Sequence, residues 1–467
     1  MLDTFAAPAP TTLIVAPALM ALVSATLGRR APLISARLGT ATAAVGLLIA
    51  AVTAPIAGDH LATALLLLIF GVSAIAQGFA VRYLAGDDRA PWFTCGALLL
   101  TAAAAAMAMA TTLVGLAIGW TGVGVALCFL LATYRELPTA RDGVRRTALA
   151  FGIGDSALWI AVGLHEFAME TTQPLVAVLI VIAALSRSAQ IPLHRWLPAT
   201  LAAPTPVSAL LHAGVVNGGG VLLVKLGALG TPLASGVVIA AGMASMGYGA
   251  VLMLVRPDIK GALAYSTMAQ MGFMMLTCGL GLWAAAVIHL IGHGFYKATL
   301  FLSSGSAIAR RRRHHMLPPP PDLTRPRRWT FAATAILLPP LTLALCVVLA
   351  PTWQEGHAAE FALLLFAWVT GSTALRGWLR RRPTIGGIAT ATALVVPAAI
   401  AYVAVVSILS RYLQPALPPP TASPATVWAV LAAALILLGA IASLRTSPRL
   451  YTHALSAGTL HPTGAPR

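Results

Sequence analysis

Residues 289–301 read HLIGHGFYKATLF, and His289, His293 and Lys297 recur in them every four positions. At 3.6 residues per turn such positions drift by only about 40° per step, so all three share one helix stripe roughly 12 Å long. The surrounding run, 282–306, is otherwise apolar and longer than the about 20 residues needed to cross a hydrocarbon layer. The segment therefore reads as a transmembrane helix with an ionisable ladder along one face.

The rest of the chain extends that reading. Of 467 residues, 58% are hydrophobic and 9% charged, with a mean hydropathy of +0.86. No soluble protein of this size could bury so much apolar surface, which excludes a cytosolic enzyme, a disordered chain and a secreted disulfide scaffold. Cutting wherever polar, Pro-rich or Arg-rich residues interrupt an apolar run gives 15 candidate spans, near 11–28, 38–57, 61–82, 93–112, 113–134, 146–165, 172–189, 206–227, 234–255, 259–280, 282–306, 329–350, 358–377, 386–411 and 425–444. The fold class expected is an all-α polytopic bundle of 13–15 transmembrane spans, the cut near residue 112 being the narrowest.

The net charge of +17 comes almost wholly from arginine, since only three of the 30 basic residues are lysine. Connections after odd-numbered spans hold Arg29, Arg30, Arg37, Arg89, Arg135, Arg141, Arg145, Arg195, Arg256, Arg310–Arg313, Arg380–Arg382 and Arg449; even connections hold Asp59, His60, Glu166, Glu170, Glu355 and His357 instead. The positive-inside rule then predicts an N-terminus outside and a C-terminus in the cytoplasm. The N-terminus has no basic stretch before its first apolar run, so it reads as a first span rather than a signal peptide. Residues 309–328, with four consecutive prolines, read as a stiff cytoplasmic linker or a docking strip for an acidic partner or lipid headgroups. The expected organisation is N-terminal helices in 1–82, a core in 83–308, that linker, C-terminal helices in 329–445 and a disordered tail in 446–467. Cys95, Cys128, Cys278 and Cys346 are too dispersed for a metal site and read as small hydrophobes.

Charges inside spans are costly and therefore informative. Two imidazoles and an amine in sequence are the parts needed to pass protons along a water-filled half-channel, although histidines can also bond neighbouring backbones as packing glue. His212 lies about two turns into span eight, whose start suits Pro204 and Pro206 and whose glycines 218–220 permit close contact or local unwinding. It reads as a relay residue or a structural hydrogen-bonding group. Asp155, in GIGD, is the mid-membrane carboxylate, expected to pair with a cation from span seven or eight. Arg187 ends span seven as a fixed charge or a side chain that snorkels to the interface. Asp155, Lys225 and Lys260 join His212, Arg187 and the ladder as candidate proton-pathway residues, the plainer readings being that Lys225 snorkels near the outer end of span eight and that Lys260 pairs with Asp258.

SAQIPLHRWLP, APTPVSALLHAG, DIKGALAYSTMAQMGF and HLIGHGFYKATLFLSSGSAI together resemble the core of the large antiporter-like membrane subunits of respiratory complex I, Mrp antiporters and membrane hydrogenases. The resemblance covers about 83–308 and implies a proton path in which Arg187 stands at a lysine position, followed by His212 and by His289, His293 and Lys297. Two departures narrow it: Thr121, in GWTGVG, occupies the place of a glutamate, and span twelve, FAATAILLPPLTLALCVV, carries no charge. With TYRELPTARDGVRR and HAGVVNGGG, the sequence is most similar to membrane subunits of DAB-type inorganic carbon transporters. That resemblance implies a proton- or sodium-conducting subunit in a bacterial cell membrane, partnered by a large DabA-like zinc-containing protein that would perform any catalysis. The chain itself carries no P-loop, dinucleotide fingerprint or metal-ligand spacing, so neither enzyme activity nor a cofactor is expected of it. The alternatives are a divergent complex I or Mrp-type subunit and a membrane anchor whose channel has decayed.

Overall fold

The structure is a computed structural model that describes residues 8–167, 172–227, 231–306, 324–349, 358–419 and 421–444, with 313, 452 and 456. Among these residues every regular element is helical: α1 (Pro8–Leu27), α2 (Pro32–Thr53), α3 (His60–Tyr83), α4 (Ala90–Met109), α5 (Leu113–Leu131), α6 (Pro138–Phe167), α7 (Gln173–Arg187), α8 (Thr205–Ala213), α9 (Gly218–Lys225), α10 (Pro232–Val255), α11 (Ile259–Gly279), α12 (Trp283–Leu302), α13 (Arg325–Leu349), α14 (Ala358–Arg381), α15 (Ile385–Leu413) and α16 (Pro424–Leu444). Each of the 15 expected spans is matched by a helix, α8 and α9 together forming one. Twelve segments are long and apolar enough to cross a membrane, making this a multi-pass membrane protein. The remaining three are the shorter apolar α1 and α7 and the more polar α11.

Local chemistry explains most boundaries. The narrow cut near residue 112 is real: α4 stops at Met109, and Thr112 starts α5 by accepting a hydrogen bond from Gly115 N at 3.1 Å. Asp59, Thr231, Asp258 and Thr384 begin α3, α10, α11 and α15 in the same way. Helix α6 starts eight residues before its expected span, because ARDGVRR continues the helix into the polar region with an Arg146–Asp142 pair one turn apart. The Arg89–Glu136 ion pair and a 2.6 Å hydrogen bond from Tyr134 Oη to Asp87 join the neighbouring connections.

The connection after α7 is not a surface loop. Helix α7 ends with Ala189 in the left-handed region at φ 51° and Gln190 N bonded back to Leu185 O at 2.9 Å. Ser188, Ala189, Gln190, Trp196 and Leu197 are buried, and Trp196 Nε1 donates to Ser186 O at 2.9 Å. SAQIPLHRWLP thus folds back into the bundle and closes one end of the helices that carry the polar groups.

One apolar cluster runs through α3 to α12 and reaches α13–α16 through Leu343, Leu363, Val403 and Leu431. Helices α10 and α11 approach backbone to backbone, a Cβ on Gly242 falling 2.8 Å from Gly272 O. Most of the 309–328 linker, the 446–467 tail apart from two residues, Arg310–Arg312, Glu170, Glu355 and His357 lie outside the described residues.

Candidate functional site

The span carrying His212 is broken in its middle. Helix α8 ends at Ala213, residues 215–217 make a single tight turn, and α9 begins at Gly218. The break precedes the triple glycine rather than falling on it, and the glycines serve close packing. A Cβ on Gly219 would meet Ala184 O at 2.3 Å, and one on Gly218 would meet the Arg187 side chain at 3.1 Å. Leaving helical geometry frees carbonyls in mid-membrane, where each needs another donor. Asn217 Nδ2 donates to Ala213 O at 2.8 Å, and His293 Nε2 donates to His212 O at 3.2 Å.

These bonds assemble the ladder. His289, His293 and Lys297 are all buried on α12, Lys297 fully so. Because a carbonyl can only accept, His293 holds a hydrogen on Nε2, and its Nδ1 is then an acceptor in the neutral ring. Neither His293 Nδ1 nor His289 Nε2 has a partner among the described residues, and the ring centroids are 5.7 Å apart. His289 is enclosed by Phe273 and Phe366, and His212 stacks on Phe301 at 4.2 Å.

A continuous hydrogen-bond sequence joins His212 to Lys297. The Thr267 hydroxyl donates to Leu263 O at 2.9 Å, so its oxygen accepts from His212 Nδ1 at 3.1 Å. Lys297 Nζ donates to the same Leu263 O at 3.3 Å and to Ser266 Oγ at 2.8 Å. No carboxylate pairs with Lys297 among the described residues. A buried amine held by neutral oxygens is an expensive arrangement with no packing requirement behind it.

The second polar centre is Arg187. It is 1% exposed; Nη2 binds Asp155 Oδ1 at 2.9 Å and Nη1 donates to Trp120 O at 3.1 Å. Its guanidinium lies between the Trp120 and Phe151 rings, 4.2 and 4.1 Å from their centroids. Arg187 therefore does not snorkel, and the pairing expected of Asp155 is present. Thr121 accepts a hydrogen bond from Trp159 Nε1 at 3.1 Å.

Two expectations are corrected. Asp258 pairs with Arg256 and caps α11, while Lys260 Nζ donates to Ala203 O at 2.8 Å, because the cap aims the carboxylate back toward Gly261 N. Lys225 turns inward to donate to Ala110 O at 3.1 Å rather than snorkelling. Neither lysine touches the ladder directly. Ser266, Thr267 and Asn217 escaped the sequence reading. Ser266 and Thr267 sit in the apolar AYSTMAQ stretch, and such hydroxyls were the available signal. Among the described residues no group of His, Cys, Asp or Glu converges as metal ligands.

Ionisable groups buried in a multi-pass bundle around a broken helix define an antiporter-like membrane protein. The chain belongs to the NADH:quinone oxidoreductase/Mrp antiporter transmembrane family, which matches residues 110–379. It is 35% identical over 349 residues to a probable inorganic carbon transporter subunit, DabB1, of Halothiobacillus neapolitanus, covering 67% of this chain and 62% of that one. It is also 35% identical over 272 residues to NADH-quinone oxidoreductase subunit L of Mycobacterium tuberculosis, covering 54% and 43%. The chain thus spans less than two thirds of the length of these relatives. The Mrp complex of Dietzia sp. DQ12-45-1b contains a similar fold, with a TM-score of 0.61 at 21% identity over 96% of this chain and 61% of that one.

Proposed function

We propose that this chain is the cation-conducting membrane subunit of an energy-coupled inorganic carbon uptake complex in a bacterial cell membrane. Protons are the ion the chemistry favours, with sodium the alternative. The observation that carries the reading is the cluster of His293, His212 and Lys297 held in one buried hydrogen-bonded frame, His293 on the backbone carbonyl of His212, the His212 ring on Thr267, and Thr267 and Lys297 both on Leu263 O. Thr267 and Lys297 both donate to the Leu263 carbonyl, which holds His212 and Lys297 in register but passes no proton, so Lys297 and the imidazoles of His212, His293 and His289 exchange protons through intervening water. Lys260 and Lys225 stand toward the two ends of this path, and Arg187 with Asp155 is a fixed pair that sets the field beside it. Arginine keeps its proton and does not relay it.

The similarity to DabB1 supports bicarbonate or CO₂ as the driven cargo and a large, zinc-containing, DabA-like protein as the partner in which any hydration occurs. Equal identity to a subunit L favours one second reading, a divergent respiratory or Mrp-type ion-translocating subunit. Mild-detergent purification of the tagged chain from its native membrane, with mass spectrometry and zinc analysis, separates them. A single large zinc protein in stoichiometric amount is the expected result. A set of iron–sulfur and quinone-binding subunits would overturn the carbon-uptake reading.

A further inference from the structure

Helices α13, α14 and α15 meet in a small apolar corner of their own, away from the ladder. Ala335 of α13, Leu375 and Leu379 of α14 and Ala391 of α15 are buried together there. Trp378 closes the corner by donating from Nε1 to Gly387 O at 3.2 Å. The chain passes from α14 to α15 in a tight turn, Thr384 N bonding to Arg382 O at 2.9 Å and Thr384 Oγ1 accepting from Gly387 N at 2.9 Å. A Cβ on Gly387 would fall 2.1 Å from Arg382 O, so only glycine fits beneath the turn.

Arginines ring this corner. Arg325, Arg327 and Arg328 stand in the first turn of α13, Arg380 and Arg381 end α14, and Arg382 opens the turn; all six are exposed. The Arg382 guanidinium lies 5.1 Å from the centroid of the Trp378 ring. Arg325, Arg327, Arg380 and Arg382 form no ion pair among the described residues, whereas Arg89, Arg146 and Arg256 in the earlier connections pair with Glu136, Asp142 and Asp258. Glu360, at the opposite end of α14, is the only acidic residue in α13–α16. The earlier connections already carry the charge that sets orientation, so six arginines at one corner exceed what topology requires.

The surroundings name the ligand. The six charges sit at the ends of apolar helices, at the depth of lipid headgroups, and not on a projecting domain. Four residues beyond Arg325 the Trp329 side chain is 73% exposed, and Leu337, Leu341 and Leu345 continue along α13 unpacked. Guanidinium groups match phosphate oxygens bidentately, an indole suits the interface, and the bare side of α13 accepts an acyl chain. An acidic protein surface would match the charge but not the apolar stretch that follows it.

We propose that Arg325, Arg327, Arg380 and Arg382, with Arg328 and Arg381 beside them, form a binding site for the phosphate headgroup of an anionic phospholipid whose chains lie on α13 past Trp329. The site bears on the ladder through α14. Trp368 Nε1 donates to Ile336 O and Tyr402 Oη to Leu363 O, both at 2.9 Å, which ties the three helices into one unit. Phe366 of that unit meets the His289 ring edge to face, 4.9 Å between centroids. A lipid that holds the corner therefore steadies the aromatic wall of the ladder. That consequence rests on the ion-conducting reading above; the lipid site does not.

The test places the assembled complex in phosphatidylcholine vesicles containing a trace of photoactivatable phosphatidylglycerol or photoactivatable phosphatidylcholine, with the same diazirine at the carbonyl end of one acyl chain. Labelled peptides are located by mass spectrometry. Phosphatidylglycerol is expected to label residues 325–329 and 378–388 at least about fivefold more than phosphatidylcholine does, and with greater selectivity than at Arg29, Arg30 and Arg37, which the span count puts on the same side. Equal labelling by the two lipids, or equal selectivity at 29–37, would overturn the proposal. Selectivity seen only after stripping the partner would also overturn it and make the corner a face for an acidic protein. Arg325→Gln, Arg327→Gln, Arg380→Gln and Arg382→Gln combined should abolish the selectivity, and its persistence would overturn the assignment; labelling of the unmodified complex decides alone if that variant does not assemble. Ion flux is read in the same vesicles with and without phosphatidylglycerol. Selective labelling with no measurable flux would keep the lipid site and count against the conducting reading alone.

Discussion

His293 donates from Nε2 to the carbonyl of His212, 3.2 Å away, across the point where the span of α8 and α9 stops being helical. The bond stabilises the break and fixes the tautomer, so that the outer nitrogen of His293 is left to accept a proton. On the proposed function, structure and transport are coupled in this one contact. His293→Gln retains a donor for His212 O but cannot be protonated. It should lower ion flux by at least about tenfold without changing the elution profile of the complex, as measured with a pH-sensitive dye in proteoliposomes.

The Asp155–Arg187 pair is expected to matter for stability through its unpaired partner rather than through its attraction. Asp155→Asn keeps an oxygen that can accept from Nη2 but removes the counter-charge, leaving a buried guanidinium uncompensated at a cost of about 3–5 kcal/mol. Asp155→Asn combined with Arg187→Met removes both charges and should recover most of that loss. Thermal unfolding midpoints of the two single variants and the double variant, followed by intrinsic tryptophan fluorescence, measure the coupling directly.

Glycines 219 and 220 should respond differently to one methyl group. At Gly219 the added Cβ meets backbone, Ala184 O at 2.3 Å, and α9 must move off α7; at Gly220 it meets the flexible end of Met274 at 2.5 Å. Gly219→Ala is expected to destabilise by about 1–3 kcal/mol and Gly220→Ala by clearly less. The temperature at which each loses its monodisperse peak in size-exclusion chromatography orders them.

Lys260 fastens the start of α8 through Ala203 O. Lys260→Met should cost about 1–3 kcal/mol for the hydrogen bond and stranded carbonyl, and a fall in flux beyond the loss of assembled complex would put the lysine on the ion path as well. Unfolding midpoints and flux per assembled complex, measured on the same preparation, separate the two effects.

How far the sequence revealed this arrangement depends on the range of the interaction. Span count and the ladder on α12 follow from hydropathy and a four-residue period, both local properties. The burial of Arg187 was not legible, because its reason is the Trp120 and Phe151 rings and Asp155, which come from two other helices. For Lys260 and Lys225 the nearest acceptors in space are backbone carbonyls 57 and 115 residues away, which no spacing announces. Asn217 was hidden for a related reason. Its role arises where HAGVV leaves helical geometry, one residue before the glycines that the sequence suggested as the place of unwinding.

The central claim, that protons move among the buried ionisable groups His212, His289, His293 and Lys297 held between α8, α11 and α12, rests most directly on Lys297. The decisive measurement is potential-driven proton or sodium flux through the purified complex in proteoliposomes, unmodified against Lys297→Met, with assembly verified in each preparation. A fall of at least about tenfold is predicted. Unchanged flux in the intact Lys297→Met complex would contradict the account and leave the buried amine a structural group.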